Sequence, residues 1–287
     1  AMGGAQDNGC NYRNNQGNWF HVLGADGMNV EIDQTNPTVI YFSSQNGNMS
    51  RSYNGGASRI GISGSIRSAE NGDWVTPFAI DPNNSTILFA GFENVWKSTN
   101  RGSNWTKLSN FSGGNTIRQL KVAPSNSNVI YICADDNQIR RSTNGGTNWS
   151  LVNSGLPNRV ISDIEIHPSF ADSVWVSFSG YSTSNKVFVT GDGGQSWVNR
   201  TTNLPNLPAN DLAYDTVSNT LYVGTDIGVY YQNVHVNLGW NAYNSGLPNV
   251  IINELEIHYG AGKLRAATYG RGLWETKLIR PISTKLS

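Results

Sequence analysis

The chain has 287 residues, enough to bury most of the surface that its unfolded form exposes, so a core needs neither metal nor disulfide. Lys and Arg total 20 against 20 Asp and Glu, and charged residues make up only 14%, which excludes the electrostatic footprint of a nucleic-acid binder or a polybasic membrane protein. The 31 Gly, 10 Pro, 9 Trp and 12 Tyr, set among many Asn, Ser and Thr, predict an all-β chain of short strands and tight turns.

No run approaches the ~20 apolar residues of a spanning helix, so no membrane insertion is expected. The opening Ala1-Met2-Gly3 and the residues after it lack the basic and apolar regions of a signal peptide. Cys10 and Cys133 fall in well-separated segments and are expected to be unpaired core residues.

In chain order, an alternating apolar run recurs as Val30-Glu31-Ile32-Asp33, Phe78-Ala79-Ile80-Asp81, Leu120-Lys121-Val122-Ala123, Ile164-Glu165-Ile166-His167, Leu212-Ala213-Tyr214-Asp215 and Leu255-Glu256-Ile257-His258. Each predicts a strand, called a. A second motif follows three of them: Ser98-Thr99-Asn100-Arg101-Gly102-Ser103-Asn104-Trp105, then Ser142 to Trp149 with Asn144 and Gly146, then Thr190 to Trp197 with Asp192 and Gly194. The period is 44 to 48 residues. Ser52-Tyr53-Asn54-Gly55-Gly56 reads as a decayed copy without its Trp, and the stretches ending at Trp19 and Trp240 as decayed copies that keep it.

Each unit reads as four short strands, a to d; in the fourth they are predicted over 164–167, 173–179, 186–190 and 197–201. Four antiparallel strands at this period predict a propeller blade, because a lone twisted sheet cannot cover its own apolar faces and must stack on copies of itself. The expected fold is all-β: one seven-bladed β-propeller domain over residues 1–287, with four-stranded antiparallel blades and incomplete terminal blades. Residues 1–24 form a partial blade, 25–250 five full blades, and 251–287 a partial blade and a tail, with the segment from Pro281 to Ser287 available to complete the ring.

The repeated box resembles the Asp-box, or BNR repeat, Ser-x-Asp-x-Gly-x-x-Trp, with Asn100 and Asn144 in place of Asp and Asp192 retaining it. Ser98, Gly102, Trp105, Ser142, Gly146, Trp149, Thr190, Gly194 and Trp197 fill the other box positions. A hydroxyl and an Asx side chain can bond the backbone of a tight c–d turn, glycine supplies positive φ, and tryptophan packs between blades, so the box is read as a structural staple. The whole pattern is similar to the Asp-box propellers of xyloglucanase-type glycoside hydrolases and sortilin-type receptors. Three phrases carry that likeness: Gly3 to Gly9, Tyr222 to Tyr230, and Ala267 to Glu275. The resemblance implies a secreted or cell-surface location and further domains of a longer parent chain.

A glycosidase needs two carboxyl groups about 5 to 9.5 Å apart. In the xyloglucanase-type enzymes the resemblance implies that two facing propellers supply them, and Asp226 resembles one of the two; it is a weak catalytic candidate, with turn capping as its other reading. His21, His167, His235 and His258 lack metal-ligand spacing, and His167 and His258 occupy the strand-end slot that holds Asp elsewhere, so they read as turn residues. No cofactor is expected; a structural Ca²⁺ near Asp26, Asp192 or the Asp135-Asp136 pair would lack a full acidic ligand set.

Strand direction places the a–b turns and boxes on one face, and the b–c turns with the d–a connections on the other. The candidate ligand-binding residues are therefore those of the b–c turns: Asp7, Gln45, Phe92, Glu93, Asp135, Asp136, Tyr181, Asp226, Tyr269 and Arg271. Carboxylates, amides and aromatic faces there suit a glycan or a peptide segment. Trp74 is a further aromatic outside the box slots. Three readings stay open: a non-catalytic extracellular binding propeller, one half of a xyloglucanase-like hydrolase, or a structural spacer in a large surface protein.

Overall fold

The computed structural model describes residues 1–14, 16–236 and 238–280. The tail from Pro281 to Ser287, and Asn15 and Asn237 in two of the decayed box copies, lie outside the described residues. Seven antiparallel sheets follow in chain order. Sheet 1 holds β1 (Met2–Ala5), β2 (Gly9–Arg13) and β3 (Trp19–Leu23); sheet 2 holds β4 (Gly27–Ile32), β5 (Ile40–Ser44), β6 (Asn48–Ser52) and β7 (Ile60–Gly61). Sheet 3 holds β8 (Phe78–Asp81), β9 (Asn84–Gly91), β10 (Val95–Ser98) and β11 (Thr106–Lys107). Sheet 4 holds β12 (Ile117–Val122), β13 (Ile130–Ala134), β14 (Ile139–Ser142) and β15 (Ser150–Leu151). Sheet 5 holds β16 (Ile161–Ile166), β17 (Val174–Phe178), β18 (Val187–Thr190) and β19 (Val198–Asn199). Sheet 6 holds β20 (Ala209–Asp215), β21 (Thr220–Thr225), β22 (Gly228–Asn233) and β23 (Asn241–Ala242); sheet 7 holds β24 (Ile252–His258), β25 (Lys263–Thr268) and β26 (Gly272–Lys277). Among the described residues, helix is confined to α1 (Gly64–Arg67) and one 3-10 turn (Tyr259–Ala261). The fold class is the all-β, seven-bladed β-propeller.

The sheets group into two units, one from Ala1 to Leu151 and the other beginning at Val152. Within the first, β4 lies against β1 and β8, and β8 against β12; within the second, β16 lies against β20 and β20 against β24. The first strands of successive sheets thus face one another, as blades stacked around an axis require. Core clusters draw on consecutive sheets: Met49 and Ile62 of the second meet Phe78 and Leu88 of the third, and Trp175 and Val187 of the fifth meet Leu212 and Val223 of the sixth. β5, β13, β17 and β21 are buried along their whole length, which is why those runs are apolar without alternation.

The predicted strand a of the fourth unit is corrected at its start. β16 begins at Ile161, three residues earlier than the alternation suggests, and passes through a bulge between Ile161 and Asp163. The bulge re-aims polar side chains toward the next sheet. Asp163 Oδ2 accepts from Leu212 N at 3.2 Å, and at the equivalent bulge Asp211 Oδ2 accepts from Leu255 N at 2.6 Å. Strand d of that unit is also shorter than predicted, only Val198–Asn199.

Each box closes a turn between the third and fourth strands. Ser98 Oγ donates to Asn100 Oδ1 at 3.0 Å and accepts from Gly102 N at 2.8 Å, while Asn100 Oδ1 accepts from Asn104 N at 2.8 Å. Ser142 with Asn144, and Thr190 with Asp192, make the same bonds. So do Ser52 and Asn54, in the copy that had seemed decayed. The glycine four residues after the hydroxyl of each box has positive φ, and a Cβ there would fall 2.1 Å from Val22 at Gly56, 2.7 Å from Ile62 at Gly102, 2.6 Å from Leu108 at Gly146 and 2.7 Å from Val152 at Gly194. Val22 lies in the last strand of the sheet before, and each of the other three immediately follows a fourth strand. Within the first unit the box therefore docks one sheet on the one before it, and only glycine permits the approach.

The tryptophans reinforce the same junction. Trp105 Nε1 donates to Ile62 O at 2.7 Å, Trp197 Nε1 to Val152 O at 2.7 Å and Trp240 Nε1 to Arg200 O at 2.8 Å. In the copy at Ser52 the tryptophan position holds Arg59, whose Nη1 donates to Val22 O at 2.7 Å. Trp149 differs: its Nε1 bonds Gly146 O in its own turn at 2.8 Å, and its ring meets Phe111 edge-on at 5.6 Å. Cys10 and Cys133 are buried and unpaired, and burial pushes their thiols up to about 11 and about 12.

The Gly194→Ala variant combines a strained φ of +92° with a Cβ 2.7 Å from Val152. It is expected to lose about 2–3 kcal/mol of stability. Gly114→Ala, at φ +68° with open space around it, is expected to lose only about 1 kcal/mol. Thermal melts of the two variants against wild type check the difference, which isolates the junction contact from backbone strain.

Candidate ligand-binding face

The a–b turns lie with the boxes. Asp33 ends the first strand of sheet 2, accepts from Thr35 N at 2.9 Å and Thr35 Oγ1 at 2.6 Å, and pairs with Arg101 of the box in sheet 3 at 3.0 Å. Gly145 N donates to Asn128 O, and Gly193 N to Asp172 O, each at 2.9 Å. His167 and His258 take the place of Asp by accepting through Nδ1 from Ser169 N and Ala261 N, both at 3.0 Å. The polar side chains of this side are largely spent on turns.

The opposite ends of the sheets bring the b–c turns against the connections that lead into each following sheet. In the first unit, Asp7 N donates to Asp26 Oδ1 at 2.9 Å, Asn46 N to Trp74 O at 3.3 Å, and Glu93 Oε1 accepts from Asn71 N at 3.2 Å and Asn71 Nδ2 at 2.9 Å. Gln45 is half-buried, and its Oε1 has no donor among the described residues. Asp135 accepts from Thr116 Oγ1 at 2.6 Å and pairs with Arg118, whose Nε also lies 3.7 Å from Asp73 Oδ2. Burial, reinforced by the Asp135 carboxylate, pushes the Asp73 carboxyl up. Asp136 is turned back on its own hairpin by Arg140, at 2.5 and 3.2 Å; burial opposes its ionisation, but the guanidinium outweighs it and the carboxyl sits low.

Phe92 is corrected. It is 0% exposed and packs with Met49 and Phe78, its ring filling the space beside Gly47 in the turn of the preceding sheet, so it offers no surface to a ligand. Its place on the rim is taken by Trp74, 46% exposed, on the connection over residues 62–77. Glu70 anchors that connection from below. It accepts from Asn94 N at 3.0 Å, Asn94 Nδ2 at 2.9 Å and Trp96 Nε1 at 2.9 Å, and pairs with Lys107 at 2.7 Å. Burial raises the Glu70 carboxyl, and Lys107 with these donors brings it below the usual range.

In the second unit, Tyr181 and Tyr269 project at 68% and 69% exposure, and Arg271 beside Tyr269 is also exposed. The turn bearing Tyr181 is clasped from beneath: Arg159 Nη2 donates to Ser179 O and Tyr181 O, each at 3.1 Å, and Lys186 Nζ to Gly180 O at 2.7 Å. Asp226 Oδ1 accepts from Asn210 Nδ2 at 3.0 Å, and the same amide reaches Ile252 O at 3.1 Å. Asp226 is thereby tied to β20, the first strand of its own sheet. Tyr269 N donates to Ile251 O at 2.9 Å. Sequence reasoning missed Arg159, Asp73 and Arg118 because they lie outside the b–c turns, and Lys186 because it was predicted as the start of strand c, whereas it ends the b–c connection. Among the described residues, no three His, Cys, Asp or Glu side chains gather closely enough to hold a metal ion.

Lys186 is fully buried, and its amine drops from the ordinary 10.5 to about 8; burial is the main cause, Arg159 adds to it and Asp226 opposes it. Between those two values the unfolded chain holds a proton that the folded chain has released, so folding stability gains from this group as pH rises from about 8 to 10.5. Lys186→Met is expected to lack that gain. Melting temperatures of wild type and variant across this range check it, and parallel curves would refute it.

The sortilin family model (Sortilin, neurotensin receptor 3) matches residues 93–207. No curated protein matches the chain in sequence. Among solved structures, a GH74 enzyme of Niastella koreensis superposes with a TM-score of 0.74 at 19% identity, covering 96% of this chain and 50% of that one. The GH74 xyloglucanase of Xanthomonas campestris gives 0.65 at 15% identity, covering 96% and 45%. The extracellular domain of a putative hybrid two-component system of B. thetaiotaomicron gives 0.62 at 16% identity, covering 88% and 32%. The chain therefore spans half or less of the length of these proteins. At these identities the likeness shows the fold: an all-β propeller resembling those of GH74 enzymes and sortilin-type proteins.

Proposed function

We propose that this chain is a non-catalytic, extracellular binding propeller that recognises glycan on the side formed by the b–c turns and the sheet-to-sheet connections. One observation carries the reading. In each unit an exposed aromatic side chain, Trp74 in the first and Tyr181 and Tyr269 in the second, stands on a backbone held by hydrogen bonds from a neighbouring connection or turn. Ordered aromatic faces beside polar groups are what a pyranose ring needs, since its C–H face stacks while its hydroxyls bond. The extracellular domain among the structural neighbours supports the location.

The hydrolase reading has its own support in the GH74 neighbours and in Asp226, which would supply one carboxyl group of the two such a reaction needs. The Asn210 amide bonded to Asp226 supports a structural role for this carboxylate, tying its turn to the first strand of the sheet. A glycan microarray and a reducing-sugar assay separate the readings. Binding without sugar release is expected, with affinity lowered about tenfold in Tyr181→Ala/Tyr269→Ala. Sugar release that Asp226→Asn abolishes would establish the hydrolase instead; binding to peptides and no glycan would replace glycan with a protein partner.

A further inference from the structure

The connection over residues 62–77 separates sheet 2 from sheet 3 by more chain than a tight crossover requires, and it is built with unusual care. Glu70 anchors its middle to Asn94, Trp96 and Lys107. Beyond that anchor, Thr76 Oγ1 donates to Asp73 O at 2.7 Å, Trp74 N donates to Asp73 Oδ1 at 2.8 Å, and Trp74 O accepts from Asn46 N. Gly72 permits the approach to the neighbouring turn, since a Cβ there would lie 2.3 Å from Thr76 Oγ1 and 3.1 Å from the Asn46 backbone. The product of this bonding is an indole nearly half exposed, with Val75 beside it at 48%. An isolated exposed apolar residue needs no explanation, but one whose backbone is fixed on both sides is a preorganised platform.

Next to it, Asp73 and Asp135 flank Arg118, all three side chains partly open to solvent. Carboxylate and guanidinium groups of this kind make charge-assisted bonds to hydroxyls while leaving each other paired when no ligand is present. The sign of the local charge selects among sugars. Four carboxylates, Asp73 on the connection and Glu93, Asp135 and Asp136 on the b–c turns, lie here with two guanidinium groups, Arg118 of β12 and Arg140 of β14. An anionic sugar would meet net repulsion.

We infer that Trp74, Asp73, Arg118 and Asp135 form a subsite for an uncharged pyranose of a neutral polysaccharide, the ring stacking on Trp74 and its hydroxyls bonding the Asp73–Arg118–Asp135 row. This rests on the glycan-binding reading above and narrows it to one place and one class of sugar. Affinity electrophoresis through gels containing hydroxyethyl cellulose, galactomannan or xylan, with polygalacturonate as the acidic counterpart, tests it. Wild type is expected to be retarded by at least one neutral polymer and not by polygalacturonate. Trp74→Ala and Arg118→Gln are each expected to weaken that retardation about tenfold, Trp74→Phe to keep most of it, and the melting temperature of Trp74→Ala to stay near wild type. Retardation that survives Trp74→Ala but is lost in Tyr181→Ala/Tyr269→Ala would overturn this subsite and leave the glycan reading standing. Stronger retardation by polygalacturonate would overturn the neutral-sugar assignment, and no retardation of wild type by any of the four polymers would overturn both.

Discussion

The fold depends on one close approach: the glycine four residues after the box hydroxyl against an apolar residue in or just after the preceding fourth strand. An antiparallel sheet of four short strands has two apolar faces and cannot stand alone. Stacking is what buries them, and the box fixes how one sheet meets the next at its outer corner. Gly56, Gly102, Gly146 and Gly194 sit where any side chain would collide with Val22, Ile62, Leu108 or Val152. The Ser or Thr hydroxyl holds the glycine amide, the Asx oxygen holds the amide two residues further on, and an indole or guanidinium ties the corner to the neighbouring carbonyl. At the inner strands the second unit uses another device, a bulged carboxylate that receives an amide of the adjacent sheet.

These two devices divide the labour between the two ends of the sheets. Where the boxes meet the a–b turns, Asp33, His167, His258 and Arg101 are committed to closing turns and bridging sheets. At the other end the turns are held by backbone bonds, by side-chain bonds to the connections such as Asn71 to Glu93 and Asn210 to Asp226, and by anchoring residues such as Glu70, Arg159 and Lys186. Side chains above are then free to differ from blade to blade without endangering the stack. That freedom is what lets a repetitive scaffold carry a particular binding site, and it explains why aromatic rings appear there in irregular positions while the box tryptophans recur on schedule.

Much of this is legible in the sequence because repetition reports it. Six alternating runs and three clear boxes mark the sheets, and the Asp or His at the end of strand a can be read as a turn residue from its slot alone. What the sequence conceals is position in the third dimension. Arg59 stands in for a tryptophan because its guanidinium can reach the same carbonyl, which no residue-type pattern would suggest. Phe92 lies in a turn, where exposure is the natural expectation, yet the bare Gly47 opposite leaves room for its ring inside. The bulges hide Asp163 and Asp211 because a one-residue irregularity breaks the alternation from which strands are read. Trp74 lies on the connection into sheet 3 and Arg118 in β12 of sheet 4, and only the fold brings Arg118 to Asp73 beside Trp74.

Native-state hydrogen exchange at the box glycine amides tests the central constraint most directly. Gly56, Gly102, Gly146 and Gly194 should exchange as slowly as amides inside the adjoining strands, because each is held by a hydroxyl and packed against Val22, Ile62, Leu108 or Val152. Exchange as fast as that of an open turn glycine such as Gly114 would show that the corners do not lock the sheets together.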